Sequence, residues 1–160
     1  MNNVIKLALA SLVFASCSNK ENQLFDKLSP DESKVQFINQ LDESKNISIL
    51  DYLYYYNGGG VALGDINNDG LVDIYFTSNQ GKNKLYLNKG SFQFEDATET
   101  ANVGGTKAWS TGVSMVDINA DGLLDIYVCN SGDVAGDNKQ NELFINQGDG
   151  TFTEEAMAYG

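Results

Sequence analysis

Apolar and polar residues alternate over short stretches in the C-terminal two thirds of the chain, and glycine, asparagine and aspartate recur between the stretches. Alternation with frequent turn residues predicts short β-strands. The predicted strands are 61–63, 74–77, 84–87, 92–94, 113–116, 126–129, 142–145 and 151–153. The pattern therefore predicts an all-β fold.

These strands form two similar units. Asp117 follows Asp65 by 52 residues, whereas the segment NELFINQG follows NKLYLNKG by 58 residues, so six additional residues belong to the connection 131–140. Four short strands per unit, repeated after about 40 to 50 residues, are typical of β-propeller blades, which bury their apolar faces by stacking on one another. The sequence predicts a partial β-propeller of two four-stranded blades.

Two near-identical acidic stretches, DINNDGLVD and DINADGLLD, connect the first two strands of each unit. Oxygen-bearing side chains occupy positions one, three, five and nine, and glycine occupies position six, a spacing that lets alternate oxygens surround Ca²⁺. The predicted ligands are Asp65, Asn67, Asp69, the Leu71 carbonyl and Asp73 in the first loop, and Asp117, Asn119, Asp121, the Leu123 carbonyl and Asp125 in the second. We expect two structural calcium sites.

Other proteins use similar strings, chiefly helix-loop-helix modules that have a carboxylate at position twelve. Phe76 and Val128 occupy that position here, and the β-branched and aromatic residues after each loop favour a strand over a helix. A turn rich in Asp and Asn that holds no ion is the remaining alternative. Repetition of every ligand position in both loops favours calcium.

The N-terminus resembles an export signal. Residues 1–16 contain Lys6, an apolar run and small residues directly before Cys17. The stretch FASC resembles a bacterial lipobox, so we expect lipidation of Cys17, with an ordinary cleaved signal peptide as the alternative. Residues 17–34 are polar and predict a flexible tether. The protein is thus expected to be exported and lipid-anchored in the bacterial outer membrane or at the cell surface.

Residues 35–56 are expected to form a strand segment that packs on the propeller, because Val35 and Phe37 alternate with polar residues. For the tyrosines of ISILDYLYYY we favour β-rich packing, with hydroxyls that reach the surface, over a carbohydrate-stacking platform. For Trp109 we favour a core position over an exposed binding position. The glycines at 58–60 indicate close backbone packing, since no P-loop lysine follows them.

Composition narrows the possible functions. The formal net charge is −12 and histidine is absent, which disfavours a nucleic-acid partner and removes the commonest general base. Outside the two loops the sequence contains no nucleophile motif and no carboxylate pair in a recognisable catalytic motif. We therefore expect no catalytic residues and no enzyme activity in this chain.

The segments GGGVALGDINNDGLVDIYF and STGVSMVDINADGLLDIYV resemble FG-GAP repeats, also called VCBS repeats, of integrin-α-like β-propellers. The resemblance implies one repeat at 57–105 and another at 106–160, with calcium on the ten positions given above. NKLYLNKG and NELFINQG further resemble exported lipoproteins of Bacteroidota that carry an ASPIC/UnbV domain. On this resemblance the chain is expected to be the N-terminal fragment of a longer protein.

These features together predict a calcium-stabilised binding or scaffold module with a glycan or protein partner, attached to the membrane only through its lipid anchor. The alternative is a non-catalytic N-terminal part of a larger exported enzyme that acts on polysaccharide, or a component of an outer-membrane uptake system. The rest of the open reading frame distinguishes them.

Overall fold

The computed structural model describes residues 24–44, 47–130 and 140–160. The predicted signal peptide, Cys17 and positions 131–139 of the connection lie outside these ranges. The described residues form strands β1 Val61–Gly64, β2 Asp73–Phe76, β3 Lys84–Asn88, β4 Phe94–Asp96, β5 Ser110–Val116, β6 Asp125–Asn130, β7 Glu142–Asn146 and β8 Phe152–Glu154, with short helices α1 Pro30–Ser33, α2 Thr98–Ala101 and α3 Ala156–Tyr159.

The strands form two four-stranded antiparallel sheets, in the order β1-β2-β3-β4 and β5-β6-β7-β8. This confirms the predicted all-β fold and the division into two four-stranded units. The fourth strand of the first unit begins two residues later than the predicted Phe92, at Phe94. Ser91 and Phe92 adopt left-handed backbone angles, with φ of 52° and 57°, so they belong to the turn before the strand.

Among the described residues, one hydrophobic cluster lies between the two sheets. Tyr75 and Leu85 are cross-strand neighbours in the first sheet and are fully buried. They belong to the same cluster as Ile126 and Phe144, which are cross-strand neighbours in the second sheet. The Tyr75 hydroxyl also donates to the Val103 carbonyl at 2.6 Å, within the connection between the sheets. Each sheet therefore buries one face against the other.

The segment before β1 contains no strand in its described parts, 35–44 and 47–56, in contrast to the prediction for 35–56. The backbone N–H groups of Asp51 and Tyr52 both donate to the Ser48 carbonyl, and the Asp51 carboxylate accepts from the Ser48 N–H and hydroxyl. These local bonds satisfy the backbone as a series of turns, which competes with an extended strand.

Part of this segment covers the face of the first sheet that points away from the second. Phe37 stacks on Phe76 with a centroid separation of 4.8 Å. The Gln36 N–H donates to the Tyr86 hydroxyl, and the Asn39 side chain donates to Asn79 at 2.7 Å. The outward face of the first sheet is thus covered near the end of β2.

The aromatic residues near β1 divide into buried and exposed groups. Trp109 is 1% exposed and Tyr55 is fully buried, so the preference for a core position of Trp109 is confirmed. Tyr54 and Tyr56 remain 61% and 60% exposed. β-rich packing is therefore wrong for these two tyrosines, because the turns of this segment direct them toward solvent.

Candidate metal centres

The two acidic stretches are the connections β1–β2 and β5–β6, here called loop 1 (65–73) and loop 2 (117–125). Both use the same backbone conformation. Position four is left-handed in each, with φ of 57° at Asn68 and 61° at Ala120, and so is position six, with φ of 85° at Gly70 and 88° at Gly122. Two left-handed residues fold each loop tightly enough for its alternate side chains to face inward, and glycine at position six adopts that angle without strain.

The first ligand position organises each loop in the same way. The two carboxylate oxygens of Asp65 accept the N–H groups of Asp69 at 3.0 Å and Gly70 at 2.8 Å. Asp117 repeats this pair with the amides of the two corresponding residues, at 3.1 and 2.9 Å. A carboxylate oxygen that accepts one N–H retains a further lone pair for a cation.

The middle positions also match between the loops. Asn67 accepts the N–H of Asp69 at 3.1 Å and donates to its carboxylate at 3.0 Å, while the other oxygen of Asp69 accepts the Leu71 N–H at 2.9 Å. Loop 2 makes the same three bonds between Asn119, Asp121 and Leu123. These loops therefore fold alike although the residues at position four differ.

Position nine anchors each loop to its own sheet. Asp73 is fully buried, and its carboxylate accepts the N–H of Ile66 at 2.9 Å and the N–H of Asn88, at the end of β3, at 2.8 Å. Asp125 is buried in the same way and accepts from Ile118 and Asn146. This residue consequently has a structural role whether or not it also contacts an ion.

Electrostatics in loop 1 favour a cation. Burial raises the pKa of Asp73, hydrogen bonds from the backbone of Asn88 and Ile66 oppose that rise, and the negative charges of Asp69 and Asp65 add to it. The three carboxylates thus repel one another across the loop. A bound divalent cation relieves such repulsion.

The donors fit calcium in chemical type, since every predicted ligand offers a hard oxygen. Within the described ranges, however, no three Asp, Glu, Cys or His side chains converge as a preformed metal cluster. The carboxylates instead point at the backbone amides of their own loops. An ion bound in either loop would therefore compete with these amides for the carboxylate oxygens.

Loop 1 also contacts the second sheet, which the sequence analysis did not predict. The side-chain amide of Asn146 donates to the carbonyls of Ile66, at 2.9 Å, and Leu124, at 3.1 Å. Asn68 donates to the Gly122 carbonyl of loop 2 at 3.4 Å. The signal available in the sequence was the asparagine that ends both NKLYLN and NELFIN, at positions 88 and 146.

The part of the chain that contains both loops is similar to a known family of repeats. Residues 65–128 match the family model of the FG-GAP-like repeat. That match begins at the first residue of loop 1 and ends in β6, so it covers both loops and confirms the resemblance over two fifths of the chain.

This chain is similar to cartilage acidic protein 1 from several animals. The proteins of Xenopus tropicalis and Homo sapiens are 36% identical over 72 residues, which is 45% of this chain and 11% of each relative. The Mus musculus protein is 35% identical over the same length. This chain therefore spans about a tenth of the length of the curated relatives that it matches.

No helix in 24–44, 47–130 or 140–160 is both long enough and apolar enough to cross a bilayer. The predicted lipidation site, Cys17, lies outside these ranges.

Proposed function

We propose that this chain is a calcium-stabilised FG-GAP-type binding or scaffold module, without enzyme activity, for a glycan or protein partner. The observation that carries the proposal is the matching hydrogen-bond pattern of loops 1 and 2. The repeated bonds give both loops the same arrangement of oxygen atoms at the five proposed ligand positions. A turn without an ion needs only a few of these bonds to close. The FG-GAP-like repeat match over the same residues supports it.

Calcium has a structural role in this proposal. Asp65, Asn67, Asp69, Asp73 and the Leu71 carbonyl hold one ion, and the equivalent residues of loop 2 hold another. Each ion neutralises carboxylates that repel one another and fixes the first connection of its sheet, so folding and metal binding stabilise each other.

We further propose that the two sheets are neighbouring blades of a β-propeller. β1 and β5 lie side by side, as the innermost strands of adjacent blades do. The face of the second sheet that points away from the first contains a cavity of about 580 Å³, lined by apolar residues that include Ile118, Tyr127 and Leu143 and by polar ones that include Lys107 and Glu154. Because the corresponding face of the first sheet packs on the second sheet, a third blade suits this cavity.

The proposed cellular setting follows from the N-terminal sequence. An apolar leader that ends in FASC supports export and lipidation of Cys17, and thus attachment at the bacterial outer membrane or cell surface. We propose that the longer parent protein is an exported Bacteroidota lipoprotein of the type that carries an ASPIC/UnbV domain.

Calorimetric titration of the metal-free chain with calcium tests the central part of the proposal. We expect two bound ions per chain, and one after either Asp65→Ala or Asp117→Ala. Asp149→Ala is the matched control, because this exposed aspartate also accepts hydrogen bonds in a turn but lies outside both loops. Two ions should remain in the control. A wild-type chain that binds no calcium contradicts the proposal.

A further inference from the structure

An open cleft of about 380 Å³ lies at the end of the sheets opposite to the calcium loops. Gly60 precedes β1 and Thr111 lies near the start of β5, whereas loops 1 and 2 follow the other ends of these strands. The aromatic cleft, as we name it, is lined by Tyr52, Tyr54, Asn57, the glycines at 58–60, Thr111 and Gly112. It is a separate site from the metal centres.

The aromatic rings of the cleft have a fixed arrangement. Tyr52 packs edge-on against Trp109 at a centroid distance of 5.2 Å, and Trp109 is almost fully buried beneath it. Tyr54 meets Tyr52 edge to face at 5.8 Å and keeps most of its surface exposed. A rigid support for an exposed ring lowers the entropy that a ligand must remove on binding.

Polar backbone groups line the same cleft. Within the described part of the chain, neither the N–H nor the carbonyl of Gly59 makes a hydrogen bond, and the side-chain amide of Asn57 has no partner. Neighbouring Gly60, by contrast, already uses both its N–H and its carbonyl to bind Thr77. Gly59 and Asn57 therefore offer donors and acceptors to a ligand.

Close packing keeps this backbone uncovered. A Cβ atom on Gly59 would lie 2.1 Å from the Thr77 carbonyl oxygen, and one on Gly60 would lie 2.6 Å from the Thr111 carbonyl oxygen. Both distances exclude a side chain, as the sequence predicted for this glycine run. The backbone of Gly59 thus lines the same cleft as the tyrosine rings.

Charge restricts the ligand. No residue that lines the aromatic cleft carries a charge at neutral pH, while the chain as a whole has a net charge of −12, which repels anions. Because no lining residue can pair with an ionic group of either sign, a suitable ligand is neutral, has an apolar face for the tyrosine rings and has several hydroxyl groups for Gly59 and Asn57.

We propose that the aromatic cleft binds a neutral saccharide unit, with a C–H face of the sugar on Tyr54 and sugar hydroxyls on the backbone of Gly59 and the side chain of Asn57. This rests on the proposed function as a binding module and names its ligand class. It also replaces the initial preference for simple packing of the tyrosine run, because Tyr54 projects into the cleft and not into the core.

Nuclear magnetic resonance titration of the calcium-loaded full chain tests this proposal with cellobiose, maltose, xylobiose, mannobiose and a proline-rich decapeptide as probes. We expect at least one disaccharide to bind and Tyr54→Ala to weaken its binding by roughly fivefold or more, the size of a lost aromatic contact. Tyr56→Ala is the matched control, since Tyr56 is equally exposed but lies outside the cleft. Its affinity should stay within twofold of the wild type.

Several outcomes would overturn the saccharide site. These are the absence of binding by every disaccharide, an equal loss in both tyrosine variants, or binding of the proline-rich peptide alone. The calcium stoichiometry measured on the same samples keeps the two proposals apart. If two calcium ions bind and no sugar does, the saccharide site is rejected while the calcium-stabilised module stands.

Discussion

Loops 1 and 2 make the same internal hydrogen bonds but have different surroundings. At the second loop position, Ile66 of loop 1 is 3% exposed, whereas Ile118 of loop 2 is 43% exposed. Tyr75 and Tyr127, at equivalent positions in β2 and β6, differ in the same direction. Local sequence thus determines the loop conformation, while burial depends on the neighbouring sheet. The second sheet buries Ile66 of loop 1, whereas no sheet among the described residues buries Ile118 of loop 2.

The largest effect that we expect distinguishes the two isoleucines. Ile66→Ala removes a buried side chain at the junction of the sheets and should lower the free energy of unfolding by about 2 to 4 kcal/mol. Ile118→Ala removes a partly exposed one and should cost less than about 1 kcal/mol. Urea denaturation of both variants measures this difference. Equal losses would show that the junction does not distinguish the two loops.

The two strand-end asparagines give a smaller contrast. Asn146 donates to the carbonyls of Ile66 and Leu124, whereas the equivalent Asn88 donates only to the carbonyl of Val72. Asn146→Ala leaves one additional carbonyl without its partner, so we expect it to cost about 1 kcal/mol more than Asn88→Ala.

The same urea experiments measure the asparagine contrast. The side-chain oxygen of Asn146 also accepts the N–H of Gly148, and that of Asn88 accepts the N–H of Gly90. Each variant loses one such bond, so these losses cancel in the comparison. A larger loss for Asn88→Ala would contradict the role of Asn146 as the link between the sheets.

Sequence alone predicted the strands and both acidic loops, because alternation, turn residues and a repeated spacing are local signals. Phe92 was misplaced in a strand since its left-handed backbone angle depends on the whole turn that contains it. The strand predicted in the segment before β1 is replaced by turns, because hydrogen bonds between Ser48 and Asp51 favour turns there.

Contacts between the sheets could not be predicted in this way. Asn146 lies 80 residues from Ile66, and nothing in the spacing of either motif indicates that they meet. The aromatic cleft likewise joins the segment before β1 to the start of β5, so its lining is defined only once the two sheets are packed together.

Thermal unfolding with and without calcium tests most directly whether each loop holds an ion that stabilises the fold. At free calcium about 100 times the dissociation constant, one site stabilises the fold by about 2.7 kcal/mol, equivalent to a shift of several degrees in Tm. We predict that Asp65→Ala and Asp117→Ala each lose the part of the calcium-dependent rise in Tm that belongs to one ion, whereas Asp149→Ala keeps the whole rise. A full calcium-dependent rise in Asp65→Ala or Asp117→Ala would contradict the site in that loop, and an unchanged Tm on adding chelator to the wild type would contradict the calcium assignment itself.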